Sequence, residues 1–337
     1  MADDDDAIDI DTMGIKDLKA FITEAGLSTA DCLDKSDLRA RAREALAAKK
    51  SAPPPPPAAG PTTTTTSSSS ASSSTVTQQR TIAGYPCIVN MPPDLLSGDA
   101  APVDLVVIGL HGLGAQNTDL AGVPNVLASY EPKLGAARRL EIFPQAPMGA
   151  MGAAWWTFDV MGFMQANMAP AGPQREALIA QLIRKKPADL DDCRAKMKAL
   201  LAEALALGGG GAGKAPLPHS RVLLAGFSLG AITSLDLALH LSAAESVAGV
   251  LFMNGAPIVV DEWAARMAEH PGLKVHLTAG MRDMTLPSEC VGWTKQLLDA
   301  HGAKTEHQLH PGGHEVGGPD VLKKMAAFVA GLLPTGS

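Results

Sequence analysis

The pentapeptide Gly226-Phe227-Ser228-Leu229-Gly230 stands between Arg221-Val222-Leu223-Leu224-Ala225 and Ala231-Ile232-Thr233-Ser234-Leu235. The first flank reads as a strand and the second opens a helix. Two glycines within five residues permit a turn too tight for Cβ atoms, and such a turn lifts a serine hydroxyl above the end of a sheet. A strand followed at once by a helix belongs to an architecture of alternating strands and helices. The chain from residue 80 onward repeats that alternation. Expected strands are Tyr85–Val89, Val103–Leu110, Leu140–Phe143, Arg221–Ala225, Val247–Met253, Lys274–Thr278 and Thr305–Leu309. Expected helices are Gln174–Lys185, Leu190–Leu207, Ala231–Leu241, Pro287–His301 and Val321–Leu332. Strands such as Val103–Ile108 are apolar at nearly every position, as a sheet covered on both faces requires. The expectation is an α/β fold, a mostly parallel, doubly wound sheet formed by residues 80–337.

Ahead of that domain the composition changes twice. Residues 51–79 hold a Pro53–Pro57 run, then Thr62–Thr66 and Ser67–Ser70, with Val76 the only large aliphatic side chain. Such a segment cannot bury enough surface to offset its ordering entropy, and it is expected to be a disordered linker. Residues 12–50 carry Ile15, Leu18, Phe21 and Ile22, then Leu38, Ala42, Ala45 and Leu46, at helical spacing. Gly26 suits the end of the first helix, and Asp34 or Ser36 can cap the second. The pattern from Gly14-Ile15 to Asp37-Leu38 resembles the SAP module of two helices joined by an extended segment, which often binds DNA. Arg39, Arg41, Arg43, Lys49 and Lys50 would suit a phosphate backbone, whereas Asp3–Asp6, Asp9 and Asp11 in the acidic tail, residues 1–11, would oppose one. A small docking module for a protein partner, with a solvated basic face, is the preferred reading.

The charge balance agrees. Lys and Arg number 28 against 35 Asp and Glu, a formal net charge of −7, which disfavours bulk attraction to nucleic acid or anionic membrane. The four cysteines are scattered with no C-x-x-C pair, so neither a disulfide scaffold nor a cysteine-rich zinc module is expected. Their usage fits a reducing compartment. The acidic start lacks the basic region of a signal or transit peptide. The most apolar run, Val247–Val260, is interrupted by Asn254 and Pro257 and is too short for a membrane span. A cytoplasmic protein is expected, or a nuclear one if residues 12–50 bind chromatin.

One motif is a false lead. Gly208-Gly209-Gly210-Gly211-Ala212-Gly213-Lys214 looks like a phosphate-binding loop, but Ala215 stands where a magnesium-ligating Ser or Thr belongs, and the segment follows a helix.

Ser228 needs a base, because a serine hydroxyl is a poor nucleophile at neutral pH. On a sheet of this kind the expected order is Ser, then Asp or Glu, then His. Of nine histidines, order removes most. His314, in the glycine loop Pro311-Gly312-Gly313-His314-Glu315 after the last strand, is the expected base, with His310 next. Asp283 follows the strand Lys274–Thr278 and is the expected acid, with Asp261 in reserve. Leu110-His111-Gly112-Leu113-Gly114 follows another strand end. The backbone N–H groups of Leu113 and Leu229 are the expected oxyanion donors, with His111 bracing the loop.

His111-Gly112-Leu113-Gly114, Gly226–Ala231, Gly280 with Asp283 and Pro287, and Gly313-His314 together resemble the phospholipase/carboxylesterase family of α/β-hydrolases, over about residues 82 to 334. Acyl-protein thioesterases and lysophospholipases belong to it. Trp156-Thr157-Phe158-Asp159 is similar to that family's Trp-Phe-Asp segment near the acyl site, with one residue extra. The resemblance implies hydrolysis of carboxylic esters or acyl thioesters, without metal or cofactor, on a small ester, a lysolipid or an acyl thioester. It implies substrate contacts for Trp156 and Phe158. The chain departs from the family where Asp is replaced by Ala115, and where Gln after the nucleophile is replaced by Leu229. The second change keeps a backbone donor and is expected to alter the pocket rim. The stretch Met148–Met168 either lines an apolar acyl channel or is ordinary core and loop. The rival reading is a non-catalytic binding protein on a hydrolase fold, recruited through its amino-terminal module.

Overall fold

A computed structural model describes residues 75–97, 100–211 and 213–334 and, towards the amino terminus, residues 10, 18, 21, 22, 39 and 41–46. The chain divides into two compact units, residues 1–68 and 69–337. In the first, Ile10, Leu18, Phe21, Ile22, Ala42 and Ala45 form a small apolar cluster with Leu46 against it. Arg41 pairs with Glu44 one helical turn on. The expected positions Ile15, Gly26, Asp34, Ser36 and Leu38, the acidic run Asp3–Asp6, and residues 51–74 of the linker lie outside the described residues.

The second unit is built on a sheet of eight strands. In chain order these are β1 (Val76–Ile82), β2 (Tyr85–Met91), β3 (Leu105–Leu110), β4 (Arg139–Pro144), β7 (Val222–Phe227), β8 (Gly249–Met253), β9 (Lys274–Gly280) and β10 (Lys304–His310). The spatial order is β1-β2-β4-β3-β7-β8-β9-β10. Strand β2 pairs antiparallel on both sides, and the ladders from β4 to β10 are all parallel. A separate hairpin, β5 (Met148–Gly149) with β6 (Gly152–Ala153), follows β4. Strand β1 begins at Val76, inside the stretch read as linker. Its pattern alternates half-buried and exposed residues at the sheet edge, so only Ile82 is buried and the sequence carries little apolar signal.

Both faces of the sheet are covered. Val106 and Ile108 of β3 enter one core, while Leu105 and Val107 enter the other. Strands β7 and β8 alternate in the same way. Helices α1 (Val123–Tyr130), α2 (Pro132–Ala136) and α9 (Pro319–Ala330) supply one layer. Helices α5 (Leu190–Gly208), α6 (Leu229–Leu239), α7 (Val260–Met267) and α8 (Glu289–Ala300) supply the other. Between them in sequence lie α3 (Val160–Met168) and α4 (Pro173–Leu182). Each fully buried Val, Leu or Ile contributes about 1.5–3 kcal/mol of transfer free energy, which is why near-continuous apolar strands settle in the centre. Gly208 closes α5, so the glycine run is a helix-terminating loop.

The α5–α6–α7 layer also holds buried charge. Arg194 on α5 donates from Nε and Nη2 to the two carboxylate oxygens of Asp236 on α6, both at 2.8 Å. Its Nη1 reaches Glu262 on α7 at 2.8 Å. Trp263 Nε1 donates to Asp236 Oδ1 at 2.8 Å. This cluster ties the helix that follows Ser228 to its two neighbours.

Candidate active site

The C-terminal ends of the parallel strands converge on one group of loops. Strand β7 delivers Ser228 with φ 55° and ψ −120°, a conformation side-chain-bearing residues rarely adopt. Two close approaches force it. A Cβ on Gly226 would stand 2.1 Å from Gly230 O, and one on Gly230 would stand 1.9 Å from Leu110 O. Ser228 N–H donates to Met253 O at 2.8 Å, which fixes the turn to the end of β8.

The loop after β3 lies beside it. A Cβ on Gly112 would be 3.3 Å from Ser228 Cβ. His111 is buried, and its imidazole joins the loop to its surroundings. Nδ1 lies 2.8 Å from Gly112 O, and Nε2 accepts from Ala146 N–H at 3.1 Å. Burial lowers the His111 pKa and holds the ring neutral, in keeping with an accepting Nε2. Trp155 Nε1 donates to His111 O, and Gly114 N–H donates to Ala153 O, each at 2.8 Å. Leu229 is the first residue of α6, where N–H groups have no acceptor within the helix. Its side chain is wholly buried in the core and lines neither cavity described below, whereas the sequence suggested a place at the pocket rim.

Asp283 and His314 meet from two further loops. His314 Nδ1 is 2.6 Å from Asp283 Oδ2. The loops are zipped together, with Met281 N–H on His310 O at 2.8 Å and Arg282 N–H on Gly312 O at 3.0 Å. Asp283 Oδ1 accepts from the N–H groups of Thr285 and Leu286 at 2.8 and 2.9 Å. Burial pushes the Asp283 carboxyl up, but His314, the Leu286 amide and the Asn254 side chain together outweigh it and hold the pKa below the usual carboxylate value. The His314 ring, whose side chain is 20% exposed, packs 4.9 Å from the Phe227 ring, next in the chain to Ser228. His310 is buried at the end of β10, with Nδ1 accepting from Gly312 N–H. Asp261 sits in the first turn of α7 with its side chain 85% exposed, facing Arg184.

Trp156 and Phe158 form a wall between two cavities. One, of about 310 Å³, is lined by Leu113, Met148, Met151 and Trp155 among others. The other, of about 580 Å³, is lined by Phe163, Leu182, Ile258, Lys185 and Lys186 among others. The wall is pinned by Trp156 Nε1 on Thr233 Oγ1 at 3.0 Å, and by Thr157 N–H and Oγ1 on Asp189 at 2.8 Å. The stretch Met148–Met168 therefore divides its roles. Met148 and Met151 border the first cavity, Phe163 is core, and Met161, Met164 and Met168 are exposed. Cys193 also lines the first cavity, but burial pushes its thiol up to about 12, which makes it a poor nucleophile. Among the described residues no cluster of three His, Cys, Asp or Glu side chains could hold a metal.

Sequence reasoning missed Asn254, Trp155 and Asn167. Asn167 Nδ2 donates to Asp283 O at 2.8 Å, linking α3 to the loop that carries Asp283. Asn254 had a visible signal, as a polar residue inside the most apolar run of the chain.

The phospholipase/carboxylesterase family profile matches residues 96–333. No match is found among curated proteins. Among solved structures, esterase PE8 is 20% identical, with 70% of this chain and 95% of that one covered and a TM-score of 0.52. A carboxylesterase from Mesorhizobium loti is 18% identical, with 76% and 99% covered and a TM-score of 0.51. TT1662 from Thermus thermophilus is 18% identical, with 78% and 100% covered and a TM-score of 0.50. At these identities the likeness is one of fold.

Proposed function

The chain belongs to the phospholipase/carboxylesterase family of α/β-hydrolases, and from that premise we propose that it is a serine hydrolase cleaving carboxylic esters or acyl thioesters through an acyl-enzyme. Ser228 Oγ attacks the acyl carbon while His314 Nε2 takes its proton. The Asp283 carboxylate, on the other ring nitrogen, fixes the tautomer and stabilises the imidazolium as it forms. The Leu113 and Leu229 N–H groups receive the oxyanion; each such donor is worth roughly 10²–10³ in rate. His314 returns the proton to the departing alcohol or thiol, and a water activated by the same ring releases the acid. Trp156 and Phe158 flank the acyl group.

The observation that carries this reading is the 2.6 Å His314–Asp283 contact, with the imidazole packed on the ring of Phe227, whose chain neighbour Ser228 is held at φ 55°. A non-catalytic binding protein need keep neither. A fluorophosphonate probe tests it on the intact protein. Wild type is expected to be labelled at Ser228 and to hydrolyse a soluble ester. Ser228→Ala is expected to lose both, with kcat down roughly 10⁴-fold or more and the fold retained. A folded wild type that takes no label favours the non-catalytic rival, and an alanine variant keeping a tenth of the turnover overturns Ser228 as the nucleophile.

A further inference from the structure

Strand β8 ends at Met253, and the dipeptide Met253-Asn254 touches all three loops of the proposed triad. Met253 O accepts the Ser228 N–H. Asn254 N–H donates to Thr278 O on β9 at 2.8 Å. Asn254 Nδ2 donates to Asp283 Oδ2 at 3.1 Å and to Gly313 O, the residue before His314, at 3.3 Å. The orientation of the amide is dictated by its surroundings. Both neighbours are pure acceptors, so the NH₂ end must face them.

This residue is costly for the fold. It is 1% exposed, its backbone sits at φ 52°, and its Oδ1 is buried without a partner. Glycine would take the same backbone without strain and leave no orphaned carbonyl. What glycine lacks is the NH₂ group. The geometry points to Asn254 as a positioning residue for the proton relay, a role that rests on the serine-hydrolase reading above. Oδ2 of Asp283 is shared between His314 Nδ1 and Asn254 Nδ2, while Oδ1 is held by two backbone amides. The amide fixes the plane of the carboxylate. Through Gly313 O it fixes the main chain that carries the imidazole. Acid and base are thereby registered to one side chain just past the end of the strand that also anchors the nucleophile.

Two substitutions test this in the full chain. Asn254→Gly keeps the backbone conformation and deletes the amide. Asn254→Asp keeps shape and tolerance of positive φ but exchanges the donor for an acceptor. Both are expected to lower kcat on a soluble ester, and the rate of fluorophosphonate labelling, by roughly 10- to 100-fold, with KM within about threefold. In Asn254→Asp the added carboxylate favours the protonated imidazole, so the acidic limb of the rate profile moves to higher pH. In Asn254→Gly it stays. A folded variant of either kind that labels and turns over within threefold of wild type overturns the role. So does loss of fold in both variants, which would make the residue purely structural. If wild type itself is not labelled at Ser228, the serine-hydrolase reading falls first and takes this inference with it.

Discussion

At the scale of single residues, the charge state of Asp283 links the proposed chemistry to stability. Its folded pKa is depressed, so the folded state binds its proton less readily than the unfolded chain does. The corresponding stability is complete above the unfolded carboxyl value of about 3.9 and is lost as pH falls through the lower folded value. Asp283→Asn is expected to flatten that acid segment of a denaturant-midpoint titration and to cut kcat by roughly 10²–10⁴. An unchanged acid limb would mean that another carboxylate carries the effect. Ser228, Asp283 and His314 could be nominated together from sequence because loop chemistry and chain order limit the choices, and Asp283 and His314 do lie in hydrogen-bonding contact. Asn254 stood out as a polar interruption of an apolar run, but the role proposed for it was not legible, since that depends on where three distant loops meet. Nor was the burial of Leu229, because the turn geometry decides which way the first helical side chain points.

At the scale of elements, seven strands and five helices carried enough apolar periodicity to be read with ends displaced by at most a few residues. Those that escaped have physical reasons. Strand β1 is polar and lies at an edge. Helix α3 exposes three methionines, so its apolar residues do not mark a buried stripe. Helix α7 follows Val259, which sits at φ 38° and ends an apolar run that mimics continued strand. The buried charges joining α5, α6 and α7 were equally hidden, since Arg194, Asp236 and Glu262 lie far apart in sequence. Arg194→Leu is expected to destabilise the protein by about 3–5 kcal/mol, because Asp236 keeps its charge in an apolar layer and loses its guanidinium. Equilibrium unfolding in urea reads this directly. A loss under 1 kcal/mol would show that Trp263 Nε1 suffices for that carboxylate.

For the whole molecule, the two units are expected to be functionally separable. Removing residues 1–74 stops short of β1, whereas a cut at 77 would also remove Val76 and Thr77, which pair with Met91 and Asn90. The 75–337 fragment is expected to hydrolyse a soluble ester within about threefold of the full chain, with any partner of residues 12–50 lost from co-purification. Destabilisation by several kcal/mol in a melt of the fragment would show instead that the missing part supports the sheet. The total stability of a domain is only about 5–15 kcal/mol, and a side chain held where Ser228 is held costs about 1–3 kcal/mol of it. Ser228→Gly is therefore expected to unfold at a higher denaturant concentration than Ser228→Ala, by about 1 kcal/mol after glycine's own entropy is counted. Equal midpoints would show that the surrounding contacts have already relaxed the turn. A lineage under selection for persistence alone could exchange this serine for glycine by mutation and drift and gain robustness. Serine at that position is a standing cost to the fold, and turnover through its hydroxyl is an advantage that could offset it.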